Sequence, residues 1–230
     1  MKVIVLSGGG TDSAACLGMA VNKFGNENVL SLTFDYGQKP TIELDYIEKL
    51  CNYYSVELKK INLVPIFKES GSALLRHNRD AEIIKSSYDQ QSAKRNGSPL
   101  VTYVPFRSGV LISIATTVAL SLGYGAIIHG VNMWSSNKNS YPDSCSFFHT
   151  SMSEAVHIGS GGCVDLLAPF VNETKAYVVS YGNKIGVPFQ YTYSCYEGGE
   201  KSCGLCGACR ERLLAFEKSN LKDPIEYQKH

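Results

Sequence analysis

A strand, a glycine-rich loop and a helix start at the beginning of the chain constrain its fold more than any other feature. Val3–Leu6 is an apolar, β-branched run and reads as a buried strand. Ser7, Gly8, Gly9, Gly10, Thr11, Asp12 and Ser13 follow, and the small apolar residues after them read as a helix. Glycines let backbone N–H groups approach an anion without interference from Cβ, and a helix start adds unpaired donors and a positive dipole end. Asp12 can position a cation or cap the helix, and Ser13 can donate its hydroxyl to a phosphate oxygen. The loop lacks the terminal Gly-Lys-Ser/Thr of a Walker A loop and the G-x-G-x-x-G spacing of a dinucleotide fingerprint. Its position between strand and helix favours a phosphate cradle over an ordinary glycine turn.

Strand and helix patterns alternate along the rest of the chain. Val29–Phe34 reads as a strand, 41–54 as a helix and Val56–Ile61 as a third strand. Residues 62–100 are polar and without periodicity, which suits a lid or substrate loop and equally a mobile surface excursion. Residues 109–122 read as an apolar helix packed on both sides, 125–131 as a strand, 146–157 as a helix and 164–167 as a short strand. Asn172 or Thr174 can cap a helix that ends near Gly186. This order predicts an α/β fold: a parallel sheet flanked by helices, with ligands beyond the carboxyl ends of its strands. The expected organisation is a nucleotide-binding domain over 1–190 and a small metal-binding element over 191–230.

A chain of 230 residues with 44% hydrophobic and 19% charged residues is that of a globular protein with one sizeable core. No apolar run is long enough to span a bilayer. The first apolar run leads directly into the loop, so no leader is expected, and a cytoplasmic location follows. A net charge of +1 argues against a large nucleic-acid footprint. Cys16, Cys51, Cys145 and Cys163 are scattered, whereas Cys195, Cys203, Cys206 and Cys209 are crowded among glycines. Thiolates two residues apart can turn onto one ion, and four of them fill a tetrahedron. Structural zinc is the favoured reading over a disulfide or a redox dithiol, and an iron–sulfur cluster stays open. Four thiolates leave no position at which the metal could activate water.

The first loop resembles the Ser-Gly-Gly-x-Asp-Ser loop of the PP-loop ATP pyrophosphatases. With Asp12 and Ser13 in register, Gly8 stands where those enzymes have serine, so keeping Ser7 in that role needs one extra residue. Phe34-Asp35-Tyr36-Gly37-Gln38, Val104-Pro105-Phe106-Arg107, Tyr141-Pro142-Asp143, the segment from Pro169 to Lys175 and the four-cysteine ending together resemble the 7-cyano-7-deazaguanine synthase family. The likeness covers nearly the whole chain. It departs at Phe106-Arg107-Ser108, where the family reads Gly-Arg-Asn, and at Lys39-Pro40, where it has a basic residue and histidine.

The resemblance implies conversion of 7-carboxy-7-deazaguanine and ammonia to the nitrile, with ATP cleaved to AMP and pyrophosphate. Gly8 to Ser13 would hold the pyrophosphate portion with Mg2+ as helper, and Lys175 and Arg107 would stabilise phosphate charge. Asp35, Tyr36 and Gly37 would meet the nucleoside end of ATP. Tyr141 and Arg107 would face the substrate, and Asp143 would bind the guanine-like edge. His129, His149 and His157 are read as structural. A homodimer is implied. The departures motivate one alternative, a ligase passing the same activated acid to another amine such as a protein terminus. Another PP-loop enzyme, and a non-catalytic zinc module binding nucleic acid or a partner through Lys201, Arg210 and Arg212, are further alternatives.

Overall fold

Strand β1 (Val3–Leu6) is buried along its whole length, and its side chains divide between two cores. Val3 and Val5 enter one cluster, Ile4 and Leu6 the other, as the two-residue period of a strand requires. The computed structural model describes residues 1–132 and 140–229. Its elements follow in the order α1 (Thr11–Phe24), β2 (Val29–Asp35), α2 (Ile42–Tyr54), β3 (Glu57–Asn62), α3 (Val64–Phe67), α4 (Tyr88–Ala93), α5 (Arg107–Leu122), β4 (Ala126–His129), α6 (Ser146–Gly159), β5 (Asp165–Leu167), α7 (Lys175–Lys184) and α8 (Gly207–Lys218).

The sheet has five parallel strands in the order β3-β2-β1-β4-β5. Residues of α1, α2, α7 and α8 pack with Val3 and Val5, while residues of α5 and α6 pack with Ile4 and Leu6. The chain therefore winds outward from β1 to β3 on one face and from β4 to β5 on the other. The reversal lies between β1 and β4, and a crevice opens there beyond the carboxyl ends of the strands.

Strand and helix positions agree with the sequence pattern to within a few residues. Helix α5 differs in its packing. Ile112, Ala115 and Ala119 are buried, but Leu120 and Leu122 are exposed. Ser113, Thr116, Thr117 and Ser121 donate their hydroxyls to carbonyls four residues back at 2.8, 2.8, 3.2 and 2.7 Å. Back-bonded hydroxyls tolerate a partly wet face, so one face of α5 is enough for the core.

The segment 62–100 is more ordered than its composition suggests. Ala73, Leu74 and Leu75 are buried, Gln38 bridges Leu75, and the Lys39 amide donates to the Leu74 carbonyl at 2.7 Å. Helix α4 starts with a capping box between Ser87 and Gln90. Ala73 and Ile83 pack in a third cluster with Tyr193 and the four crowded cysteines. Ala215 and Phe216 of α8 join the core of α1, so the C-terminal segment is built onto the sheet domain.

Candidate functional site

The glycine loop turns between β1 and α1 at the crevice. Gly9 has φ +75°, and a Cβ there would lie 2.9 Å from the Glu43 carbonyl oxygen. Both facts require glycine. Ser7 turns its hydroxyl inward, accepting a hydrogen bond from Ser31 at 2.7 Å. Gly8 and Gly10 have open space where a Cβ would stand. Ser13 Oγ accepts from the Gly8 amide at 3.3 Å and donates to the Gly10 carbonyl at 3.1 Å. The amides at the start of α1 have no preceding turn of helix to bond to, which leaves them available to an anion. Tyr193 fixes the loop from outside through its amide to the Gly9 carbonyl at 2.8 Å.

Lys175, the first residue of α7, donates to Asp12 Oδ2 at 2.7 Å, and the two side chains are 17% and 18% exposed. Thr174 is the cap of that helix, its hydroxyl accepting from the Tyr177 amide at 3.1 Å. The Thr11 hydroxyl and Asp12 Oδ1 are buried without a hydrogen-bond partner. An orphaned carboxylate oxygen beside an ammonium at a helix start suits a divalent cation shared with a phosphate.

A cavity of about 290 Å³ joins this corner to the rest of the crevice. Ser7, Gly8, Gly10, Asp12, Ser13 and Lys175 line one side, and Tyr36, Arg107 and Tyr141 line the other. Arg107 donates to the Tyr36 hydroxyl at 2.8 Å. Tyr141 shares hydrogen bonds with Thr102 at 2.7 Å and Tyr196 at 3.5 Å, and Tyr196 with Tyr88 at 2.7 Å. Burial pushes the hydroxyls of Tyr36, Tyr88 and Tyr196 well above the ordinary tyrosine range. They therefore act as neutral donors and acceptors on an aromatic wall.

Asp35, Gly37 and Asp143 do not line the cavity. The Asp35 carboxylate takes Arg76 at 2.9 and 3.0 Å and the Gly37 amide at 3.0 Å, so it shapes the turn that carries Tyr36. Asp143 Oδ2 accepts from the Ser108 amide at 2.7 Å, which anchors the start of α5 and hence Arg107. Lys39 donates to the Ala81 carbonyl at 2.6 Å, away from the crevice. Phe106 has φ +53°, a conformation that favours glycine, and its ring packs edge-on against Phe148 at 5.7 Å.

Besides Tyr88 and Tyr196, the cavity holds further groups that the sequence reading did not assign to a site. Glu43 accepts from Gln38 at 2.8 Å, and burial pushes its carboxyl up to about 7. Glu211 reaches the cavity from α8, and burial raises its carboxyl as well. His129 lines the cavity with its ring 6.2 Å from that of His149, while its Nδ1 and His149 Nε2 are buried without partners. Burial, then His149 and Arg107, hold His129 down at about 3. Gly130 lets β4 pass the loop, since a Cβ there would lie 2.9 Å from the Ser13 amide nitrogen. Their places at the cavity depend on long-range packing.

Cys195, Cys203, Cys206 and Cys209 are all buried, with their sulfurs within 4.8 Å of one another. Cys203 Sγ and Cys209 Sγ stand 3.9 Å apart. A tetrahedral Zn–S bond of about 2.3 Å sets sulfur–sulfur edges near about 3.8 Å, so the cluster has the dimensions of a metal site. The amides of Cys203, Leu205 and Cys206 donate to cluster sulfurs at 3.3, 3.4 and 3.3 Å, as thiolate ligands require. Among the described residues no helix is long and apolar enough to cross a membrane.

Residues 2–220 match the model of the family described as queuosine biosynthesis protein QueC. A 7-cyano-7-deazaguanine synthase from Pseudoalteromonas atlantica is 37% identical over 227 residues, covering 99% of both chains. One from Caldicellulosiruptor bescii is 34% identical over 228 residues, covering 99% of this chain and 98% of the relative. Among solved structures, NMN synthetase from Francisella tularensis superposes with a TM-score of 0.51 at 15% identity, over 95% of this chain and 82% of that one. That likeness concerns the fold alone.

Proposed function

The chain belongs to the queuosine biosynthesis protein QueC family, and from that premise we propose that it converts 7-carboxy-7-deazaguanine and ammonia to 7-cyano-7-deazaguanine at the expense of ATP. One observation carries the reading: a single cavity has an anion-binding corner at Asp12 and Lys175 and an aromatic, cationic wall at Tyr36 and Arg107. A planar acid and a triphosphate meet there. The relatives matched over their full length carry the synthase name, so transfer to a protein terminus is not favoured.

The chemistry explains the need for both halves. A carboxylate is a poor electrophile because its leaving group would be oxide. Its oxygen attacks the α-phosphorus of ATP, the α–β phosphoanhydride breaks, and pyrophosphate leaves. AMP is now the leaving group, and ammonia displaces it to give the amide. A second adenylation, on the amide oxygen, lets AMP leave again as the nitrile forms. The protein aligns the reactants and offsets growing negative charge.

In this reading the Gly8–Ser13 loop and the start of α1 hold the pyrophosphate portion, with Lys175 at the breaking bond. Asp12 Oδ1 is the free oxygen that would hold Mg2+, which supplies further charge neutralisation. Arg107 meets the α-phosphate or the substrate carboxylate, and Tyr36 and Tyr141 flank the heterocycle. Asp35, Gly37 and Asp143 act by holding Tyr36 and Arg107 in place. The cysteine cluster takes Zn2+, which is structural because four thiolates close its coordination sphere. A homodimer located in the cytoplasm completes the proposal. Incubation with ATP, magnesium, the deazaguanine acid and ammonium should give AMP, pyrophosphate and a product with the mass of the nitrile. ADP with phosphate, or no acid-dependent pyrophosphate, would overturn the reading.

A further inference from the structure

Glu43 is a carboxylate that the activation step leaves without a task. It rises from the first turn of α2 into the cavity wall, beneath the glycine loop and within reach of the Arg107 charge. Gln38 donates to its Oε1, and Gln38 is itself fixed, donating to the Phe34 carbonyl at 3.2 Å and accepting from the Tyr36 amide at 2.9 Å. The carboxylate is thus oriented by one hydrogen bond, and no second hydrogen bond or ion pair engages it among the described residues. Among the described residues no lysine or arginine forms an ion pair with it, unlike Asp12 and Asp35.

We propose that Glu43 is the general base of the amination step. The inference rests on the adenylating function proposed above. Ammonia forms a bond to the acyl carbon, the bond from that carbon to the AMP oxygen breaks with its electron pair leaving on AMP, and Glu43 takes the proton that the new nitrogen bond makes acidic. One proton goes to one carboxylate, and the neutral amide and AMP remain.

The neighbourhood suits a base near neutral pH. Burial pushes the carboxyl up, while the Gln38 hydrogen bond and the Arg107 charge pull it down and Asp35 raises it again, leaving it at about 7. Tyr36, which also faces this carboxylate, is neutral. A group poised there is charged often enough to accept a proton and basic enough to keep it.

The test separates the two halves of the reaction in the whole protein. Glu43→Gln keeps an acceptor for Gln38 and removes the base. Exchange of labelled pyrophosphate into ATP with the acid alone should stay within about threefold of wild type. Ammonia-dependent turnover should fall by about 10²-fold or more. Hydroxylamine, whose acyl adduct is more acidic than that of ammonia and loses its proton to solvent without a protein base, should restore turnover to within about tenfold. Wild-type amination at fixed free ammonia should rise with pH to a plateau with its midpoint near 7. Unchanged ammonia turnover in the variant, equal loss of exchange and both aminations, or a flat wild-type profile would each overturn the assignment. Absence of exchange in the wild type would instead refute the adenylating function itself.

Discussion

Alanine substitutions at the loop glycines and their neighbour separate a phosphate cradle from a merely tight turn. Gly130→Ala puts a Cβ 2.9 Å from Ser13 N and 3.0 Å from the Asp12 carbonyl carbon, where ordinary contact begins at 3.4 Å. Both neighbours are backbone, so β4 and the loop must part by about 0.5 Å. Overpacking of this kind costs about 1–3 kcal/mol, and for a chain of this size Tm should fall by about 2–12 °C. Gly8→Ala and Gly10→Ala meet nothing within 4 Å. Their stability should change by less than about 1 kcal/mol, because Gly10 caps α1 with an extended backbone that alanine also adopts. Their methyl groups nevertheless occupy the face open to the cavity. Loss of one charge-assisted hydrogen bond to phosphate costs about 1.5–3 kcal/mol, equivalent to about a 10- to 10²-fold rise in KM for ATP. Acid-dependent pyrophosphate exchange measured across ATP concentrations, beside thermal unfolding, reads both quantities. Unchanged ATP dependence in both Gly8→Ala and Gly10→Ala would refute the cradle.

Other perturbations have equally definite outcomes. Lys175→Met removes the ammonium from Asp12 and should lower adenylation by about 10²–10³-fold while leaving the unfolding midpoint less affected than Gly130→Ala does, as steady-state kinetics and calorimetry would show. Elemental analysis should find one zinc per chain, and a strong chelator should lower Tm sharply because metal binding and folding are coupled; iron with acid-labile sulfide would contradict this. His129 and His149 are both held neutral by burial. The unfolded chain therefore takes up more protons below about pH 6.5, and stability, complete above that value, should decline toward the His129 value of about 3 by up to about 1.4 kcal/mol per pH unit for each imidazole; denaturant titrations from pH 7 to 4 would detect it, and His129→Gln should flatten the slope. Phe106→Gly relieves a left-handed residue, worth about 1–2 kcal/mol, but loses the edge contact with Phe148, worth about 0.5–1.5 kcal/mol, so its Tm should move by only a few degrees.

Local pattern carried most of the fold. The β-branched runs at Val3–Leu6 and Val29–Asp35 announced strands because both faces of this sheet are covered, and the glycine loop announced the first crossover. The strand order lies beyond local pattern, since the placement of β4 beside β1 depends on contacts between residues far apart in sequence. The same limit explains the site. Asp12 and Lys175 are 163 residues apart, and each could be nominated only as a member of a motif. Asp35 could not be seen to engage Arg76, because Arg76 lies in a segment without periodicity, held by a bridge to Gln38 and by a few buried side chains such as Leu74 and Leu75. His129 read as an ordinary core histidine, as most such residues are, yet the end of β4 brings it to the cavity. The departure at Phe106 became interpretable once its backbone was known: the chain keeps the turn at a position suited to glycine and sets the added ring edge-on against Phe148, with the residue still half exposed.

The most direct test of the account follows the oxygen of the substrate. With 18O in the carboxylate of 7-carboxy-7-deazaguanine, attack on the α-phosphorus predicts one labelled oxygen in the AMP formed with the first amination and none in pyrophosphate. Label in pyrophosphate or inorganic phosphate, or unlabelled AMP alongside aminated product, would contradict it.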